Sequence, residues 1–279
     1  MSSIDSLTAF IRQHPRLLVI TGAGCSQPSG IPTYRDKSGE WQRSTPIQHN
    51  DFISKEATRR RYWARSYSGW PSIKNAIPNL AHESLKVLED EGYVHTLVTQ
   101  NVDGLHQAAG HKNVVNLHGR LSEVICIECG ELTQRDQLQS NFKTLNPGLT
   151  STYDVLQPDG DASLDHNVEN EITKDLVIPG CQNCEGMLKP NVVFFGGTVP
   201  KSTVESVYSA LQETDGLLVV GSSLMVYSGY RFCKRARDLN IPIAAINQGK
   251  TRADELLELK VDQDCVSALS ELVAVLSAG

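Results

Sequence analysis

Short apolar runs recur along this chain, and each gives way to residues that carry chemistry. Leu17-Leu18-Val19-Ile20 ends in Thr21-Gly22-Ala23-Gly24. The run 94–98 precedes Thr99-Gln100-Asn101, and 114–117 precedes His118. The run 192–195 precedes Gly196-Gly197, 217–220 precedes Gly221-Ser222-Ser223, and 241–246, with Pro242 near its start, precedes Asn247. Runs this short and continuously apolar are strands buried on both faces. Between them lie helical patterns: Ala81, Leu85 and Leu88, stopping at Gly92; Val204, Val207, Tyr208 and Leu211; Phe232, Ala236 and Leu239; Val266, Leu269, Val273 and Leu276. Ile4, Leu7, Phe10 and Ile11 make a further face before the first run, and Asp262 or Asp264 is placed to cap the last helix. Strands alternating with amphipathic helices predict an α/β domain with a parallel sheet flanked by helices. Ligands of such sheets gather at the carboxyl ends of the strands, where these polar residues fall.

Two stretches break the rhythm. Residues 42–78 are rich in Arg, Trp and Tyr, and 120–190 hold cysteine pairs around a long polar middle. Both are expected to form a smaller module, helical over 42–78 and a metal ribbon over 120–190, inserted into a larger part made of 1–41, 79–119 and 191–279. The segment 146–175, with Pro147, Gly148, Pro158, Asp159, Gly160 and Asp161, is expected to be a long loop, mobile or functional.

The pairs are Cys126-x-x-Cys129-Gly130 and Cys181-x-x-Cys184-Glu185-Gly186. Two residues between thiolates let both sulfurs reach one ion through a tight turn, and the glycine lets the chain leave it. Four thiolates make a closed tetrahedral zinc site with no place for a reactive water, hence a structural one. Independent redox pairs or an iron–sulfur cluster are the alternatives. Seven cysteines, with Cys25, Cys233 and Cys265 scattered, suit a reducing compartment better than a disulfide framework. The chain has 279 residues, 40% hydrophobic and 21% charged, as expected of a folded enzyme. The net charge of -6 gives no global attraction to nucleic acid or anionic membrane, and the Arg59-Arg60-Arg61 and Arg65 cluster reads as a solvated helix face. No apolar run approaches the length of a bilayer crossing, and no long apolar segment opens the chain; the expected compartment is the cytoplasm.

Gly22-x-Gly24 after a strand is a weak signal by itself, and Gln27 stands where a dinucleotide fingerprint needs its third glycine. It does offer backbone N–H groups beside a helix start, a setting for phosphates, with Arg35 near to neutralise them. The longer run Gly22-Ala23-Gly24-Cys25-Ser26, then Ser29-Gly30-Ile31-Pro32-x-Tyr34-Arg35, closely resembles the signature of the sirtuins, NAD-dependent protein deacylases. Thr99-Gln100-Asn101-Val102-Asp103-Gly104-Leu105-His106, Leu117-His118-Gly119, the cysteine pairs, the run 188–196 and Gly221-Ser222-Ser223-Leu224 resemble its further motifs, in order. The 61–65, 69–71 and 226–232 stretches resemble the branch that includes the mitochondrial human sirtuin 4, and a bacterial member of it is expected.

The resemblance implies a single catalytic domain, 1–279, with a Rossmann-like sheet and NAD and zinc as cofactors. It implies that an acylated-lysine protein or peptide is the partner and that nicotinamide and an O-acyl-ADP-ribose are released; the oligomeric state stays open, with a monomer expected. The acyl-lysine carbonyl displaces nicotinamide from the ribose, and His118 serves as general base on a ribose hydroxyl. An imidazole, with its ordinary pKa near 6.5, accepts a proton at neutral pH. Asn101 and Asp103 are implied at the nicotinamide and its ribose, Gln100 on ribose hydroxyls, and Ser222 and Ser223 on phosphate or ribose. Asn247 is implied at the adenosine ribose and Cys265 beside adenine. Gly22, Ala23, Gly24, Cys25, Pro32, Thr33, Tyr34, Arg35, Trp41, Gly221, Gln248 and Gly249 complete the expected cofactor contacts. Val192, Val193 and Phe194 are the expected edge for an extended peptide. Many relatives carry an acid where Gly197 follows Gly196, which puts the peptide preference in doubt.

For the acyl group, Tyr62-x-x-Arg65 matches the spacing by which one sirtuin branch reads acidic acyl chains, and both residues would share a helix face. Arg65 pairing within the protein is the competing reading. Acidic, branched and lipoyl-like groups all remain open, as do a mono-ADP-ribosyltransferase and a catalytically weak NAD sensor. A hydrolase using Cys25, active without NAD, and an oxidoreductase rank behind them.

Overall fold

The computed structural model describes residues 2–42, 46–149, 155–157 and 160–277. Its centre is a six-stranded, all-parallel sheet. The first strands are β1 (Leu17–Thr21), β2 (Val94–Thr99) and β3 (Val114–Asn116). A second set comprises β4 (Gly119–Cys126), β5 (Leu132–Gln134), β6 (Val155–Leu156), β7 (Ala162–Ser163) and β8 (Leu188–Val192). The chain then returns to the large sheet with β9 (Gly216–Val220), β10 (Ile243–Ile246) and β11 (Leu259–Val261). The large sheet runs β11-β10-β9-β1-β2-β3. Strand order therefore reverses between β1 and β9, and a crevice opens there at their carboxyl ends.

Along β1, Leu17 and Val19 point to one face and Leu18 and Ile20 to the other, as period-two geometry requires. On the first face these residues pack with Leu97, Leu218, Val220 and Ile246 against α1 (Ser3–Gln13), α5 (Leu80–Asp90) and α11 (Cys265–Ser277). On the second, Val98, Leu217, Val219 and Ile243 pack against α9 (Lys201–Gln212) and α10 (Tyr227–Asp238). The faces anticipated from periodicity are the buried ones: Ile4, Leu7, Phe10 and Ile11 in α1, and Ala81, Leu85 and Leu88 in α5. Gly92 ends α5 with φ +88°. Asp264 caps α11, its carboxylate accepting from the Ser267 N–H at 2.9 Å.

A third core lies outside this sandwich. It joins α3 (His49–Ser54) and α4 (Glu56–Lys74) to α7 (Arg135–Leu145) and the antiparallel sheet β5-β4-β8. Phe52, Tyr62, Trp63 and Phe142 are its fully buried aromatics. Short helices α2 (Ala23–Ser26) and α6 (Leu105–Ala108) follow the glycine turn and Gly104, and α8 (His166–Asp175) lies before β8.

Three expectations need correction. The run 192–195 is not a strand of the parallel sheet: β8 ends at Val192 and pairs antiparallel with β4, because Leu188–Pro190 match Cys126–Val124 in register. The segment 146–175 is not one loop, since β6, β7 and α8 lie within it; Asp165 starts α8 by accepting from the N–H groups of Asn167 and Val168. Pro158 and Asp159 lie outside the described residues. The edge strand β11 was not anticipated, because three residues with a lysine in the middle carry no run. No helix of the described residues is long and apolar enough to cross a membrane.

Candidate functional site

A cavity of about 770 Å³ opens at the crevice between β1 and β9. Its floor is two interlocked glycine turns. The Gly22 N–H donates to the Val220 carbonyl at 3.1 Å, and the Gly24 N–H to the Gly221 carbonyl at 2.9 Å. A Cβ on Gly22 would sit 2.7 Å from the Ser222 Cβ, so glycine is what lets the turns touch.

Residues implied at the nicotinamide end converge. The Asn101 side-chain amide donates to the Gly22 carbonyl and to the Ser26 hydroxyl, both at 2.9 Å. The Ser26 hydroxyl in turn donates to the Asp103 carboxylate at 2.7 Å, and the Leu105 N–H donates to the same group at 2.9 Å. Burial pushes the Asp103 pKa up, and these hydrogen bonds pull against it. The Gln100 amide donates to the Ser222 hydroxyl at 2.7 Å, tying the end of β2 to the turn after β9.

His118 stands at the end of β3 with both ring nitrogens engaged. Nδ1 lies 2.9 Å from the Gln100 carbonyl oxygen. A carbonyl only accepts, so Nδ1 carries the hydrogen and Nε2 the lone pair of the neutral ring. Nε2 lies 2.7 Å from the Ser228 hydroxyl. Burial lowers the His118 pKa, with the Gln100 carbonyl acting in the opposite direction. The ring is therefore a neutral base at physiological pH.

Gly22, Ala23, Gly24, Thr33, Tyr34, Arg35, Trp41, Gln100, Asn101, Asp103, His118, Gly221, Ser222, Ser223, Asn247, Gln248 and Cys265 all line the cavity, as do Val192, Val193 and Phe194. At the mouth, Arg35 lies 3.9 Å over the Trp41 ring and donates to the Gly39 carbonyl. Tyr34, Trp41 and Phe195 contact one another edge-on. The Val193 N–H donates to the His118 carbonyl at 2.8 Å, so the residues expected to receive a peptide are tied to His118.

Five anticipated residues do not line it. Cys25 is fully buried in the core beneath, among Leu85 and Leu88, and burial pushes its thiol well up, the wrong direction for a nucleophile. Pro32 is outside the wall, between Ile31 and Thr33, which line it. Gly249 has φ +78° and packs against the Lys37 backbone, off the cavity wall. Tyr62 is 1% exposed, edge-on to Phe52 and Phe194. Arg65 pairs with Asp161 at 3.3 Å and Glu169 at 3.6 Å, which answers the acyl-carboxylate reading with an internal partner. The helix face was right, but spacing alone cannot say what that face meets. Ser26, Phe195 and Ser228 stood in the motif stretches 22–35, 188–196 and 226–232 but were assigned no role in the site; a serine in the first turn of a helix is ordinary by itself.

The four paired cysteines meet at the far end of β4 and β8. Sγ of Cys126 is 3.5 Å from that of Cys184, and Sγ of Cys129 is 3.7 Å from that of Cys181. One ligand atom from each lies within 4.8 Å of the others. A tetrahedron with Zn–S bonds of about 2.3 Å has edges near 3.8 Å, so the thiols fit zinc. No disulfide joins the described cysteines.

Comparison with known proteins agrees with this geometry. The Sir2 family pattern matches residues 22–228. An NAD-dependent protein deacetylase of Xanthomonas axonopodis pv. citri (strain 306) is 50% identical over 269 residues, 96% of this chain and 90% of the relative. The mitochondrial NAD-dependent protein lipoamidase sirtuin-4 of Bos taurus is 48% identical over 265 residues, 94% of this chain and 83% of the relative. A solved structure of Sir2 with a p53 peptide and NAD+ superimposes with TM-score 0.77 at 25% identity, over 100% of both chains. With its glycine turns, histidine and cysteine ribbon in these positions, the chain belongs to the Sir2 family, the sirtuins.

Proposed function

We propose that this protein is an NAD-dependent protein-lysine deacylase that releases nicotinamide and an O-acyl-ADP-ribose. The observation that carries this is a neutral imidazole, fixed as the Nδ1–H tautomer, in the wall of the crevice that the β1 and β9 glycine turns create. NAD supplies an activated ribose whose nicotinamide leaves. The chain's part is to bind, orient, exclude water and move one proton. Gly22, Ala23 and Gly24 with Ser222 and Ser223 hold phosphate and ribose through the floor; Asn101 and Asp103 hold the nicotinamide end; Asn247, Gln248 and Cys265 flank the adenosine end. His118 is the general base, and Val192, Val193 and Phe194 receive the peptide.

The chain works as one catalytic domain, residues 1–279, its larger part formed by 1–41, 79–119 and 191–279 and the smaller by the rest. Its free thiols, four of them set for zinc, suit the cytoplasm. Within the family we place it beside the branch of sirtuin 4, on the 48% identity to the bovine protein and the 226–232 stretch. Because Arg65 is already paired, the acyl chain meets Ile31, Val102 and Phe194 instead, and uncharged acyl groups are preferred over acidic ones.

The test is a panel of acetyl-, lipoyl-, branched-acyl and succinyl-lysine peptides incubated with NAD and read by mass spectrometry. One NAD consumed per lysine freed is expected. His118→Ala should lower turnover by about 10²–10⁴-fold while NAD affinity persists. Mass retained on protein in place of freed lysine would establish mono-ADP-ribosyl transfer and overturn the reading.

A further inference from the structure

The hydroxyl on His118 Nε2 comes from Ser228, in the 226–232 stretch, to which no role in the site was assigned from sequence. Ser228 is the second residue of α10, in its first turn, and Gly229 follows it. A Cβ on Gly229 would lie 2.6 Å from the Gln100 side-chain oxygen, so glycine lets α10 press against the end of β2. The imidazole is thus clamped between the Gln100 carbonyl at 2.9 Å and the Ser228 hydroxyl at 2.7 Å.

We propose that Ser228 is a positioning residue for the general base, donating to Nε2 while the ring is neutral and turning to accept from Nε2–H when the ring takes up a proton. A hydroxyl is both donor and acceptor, and a carbonyl is not. Without such a partner, proton transfer would leave a buried N–H of an imidazolium unpaired, which is costly. Hydrogen bonds to the charged form are the stronger ones, so Ser228 favours protonation where burial opposes it. The proton balance is simple: the substrate O–H bond breaks, Nε2–H forms, and the Ser228 proton rotates away from the ring without leaving its oxygen. The charged groups of the same cavity wall are Arg35, Asp36, Lys37, Asp103, Lys250 and Asp264.

This rests on reading His118 as the base, and the test separates the two. The His118 ring is titrated by NMR in the full chain without NAD, its signal assigned by loss in His118→Gln. Ser228→Ala should lower its pKa by about 0.5–1 unit. The acid limb of kcat/KM against pH should move down with it, and kcat/KM should fall about tenfold. Ser228→Thr, which keeps the hydroxyl, should restore both. An unchanged ring pKa in Ser228→Ala overturns the proposal, and a raised one does so too, since it means the hydroxyl only donates. Should the alanine variant not fold, Ser228→Cys, a weak hydrogen bonder of similar size, gives the same reading. A shifted ring pKa in a protein that frees no acyl-lysine would sink the deacylase and leave this inference standing.

Discussion

Gly119 follows the base, and replacing it by alanine tests how tightly the site is built. Its φ is +81°, a region that costs a side chain about 1–2 kcal/mol. The added Cβ would also lie 1.9 Å from the Asn191 carbonyl oxygen, in backbone that cannot step aside as a flexible side chain would. Overpacking of that kind costs a further 1–3 kcal/mol or so. Together Gly119→Ala should lose about 2–5 kcal/mol, or about 5–15 °C in Tm. Gly92→Ala is the control: its φ is +88° but nothing lies within 4 Å, so only the strain of about 1–2 kcal/mol applies. Turnover should fall further than stability, because β4 must part from β8 to admit the methyl group. The Val193 N–H that donates to the His118 carbonyl moves with β8. Displacement of a reacting group by about 1 Å costs about 10²-fold. Thermal denaturation and kcat/KM of both variants decide the matter. Equal stability loss in the two, or an active Gly119→Ala enzyme of unchanged Tm, would refute the steric reasoning.

Two further outcomes are expected. Cys126→Ser, or chelation of the wild type, should remove one zinc per chain by elemental analysis and lower Tm, because the ion's binding energy is folding energy for the ribbon; a variant that keeps its zinc and its stability contradicts the four-thiolate assignment. His82 is held down to about 4, by burial first and then by His111. Its folded pKa lies below the unfolded 6.5, so its contribution is fully present above about pH 6.5 and is lost as pH falls from there towards 4. Urea unfolding should show at most about 1.4 kcal/mol lost per pH unit from this group, and His82→Gln should flatten the slope; an unchanged slope assigns the acid sensitivity elsewhere.

The large sheet was legible because its strands are buried on both faces and leave unmixed apolar runs, as β1 and β9 show. The cavity was legible because polar residues at the carboxyl ends of those runs have one place to meet. Asn101, Asp103 and His118 do meet there, though 22 and 118 are far apart in the chain. The small module was harder. The apolar run 192–195 was expected as a strand of the parallel sheet, whereas it is Leu188–Pro190 before it that pair with β4, antiparallel. Tyr62 and Arg65 show the deeper limit. Their helix and their spacing were correct, but the partners of Arg65 are Glu169 in α8 and Asp161 just before β7, in a segment whose polarity gave no face to predict. Cys25 differs in another way: it follows the glycine turn, yet its side chain packs into the core rather than into the cavity.

β4 begins beside His118 and ends at Cys126, and β8 runs back from the cysteine ribbon to Val192 in the cavity wall. The two strands therefore link the cysteine ribbon to the neighbourhood of His118, through a pairing that is interrupted between Gly119 and Val124. An oxidant or chelator acting on the ribbon is therefore expected to reach the cavity only by way of the Gly119–Val192 pairing, on the far side of that interruption.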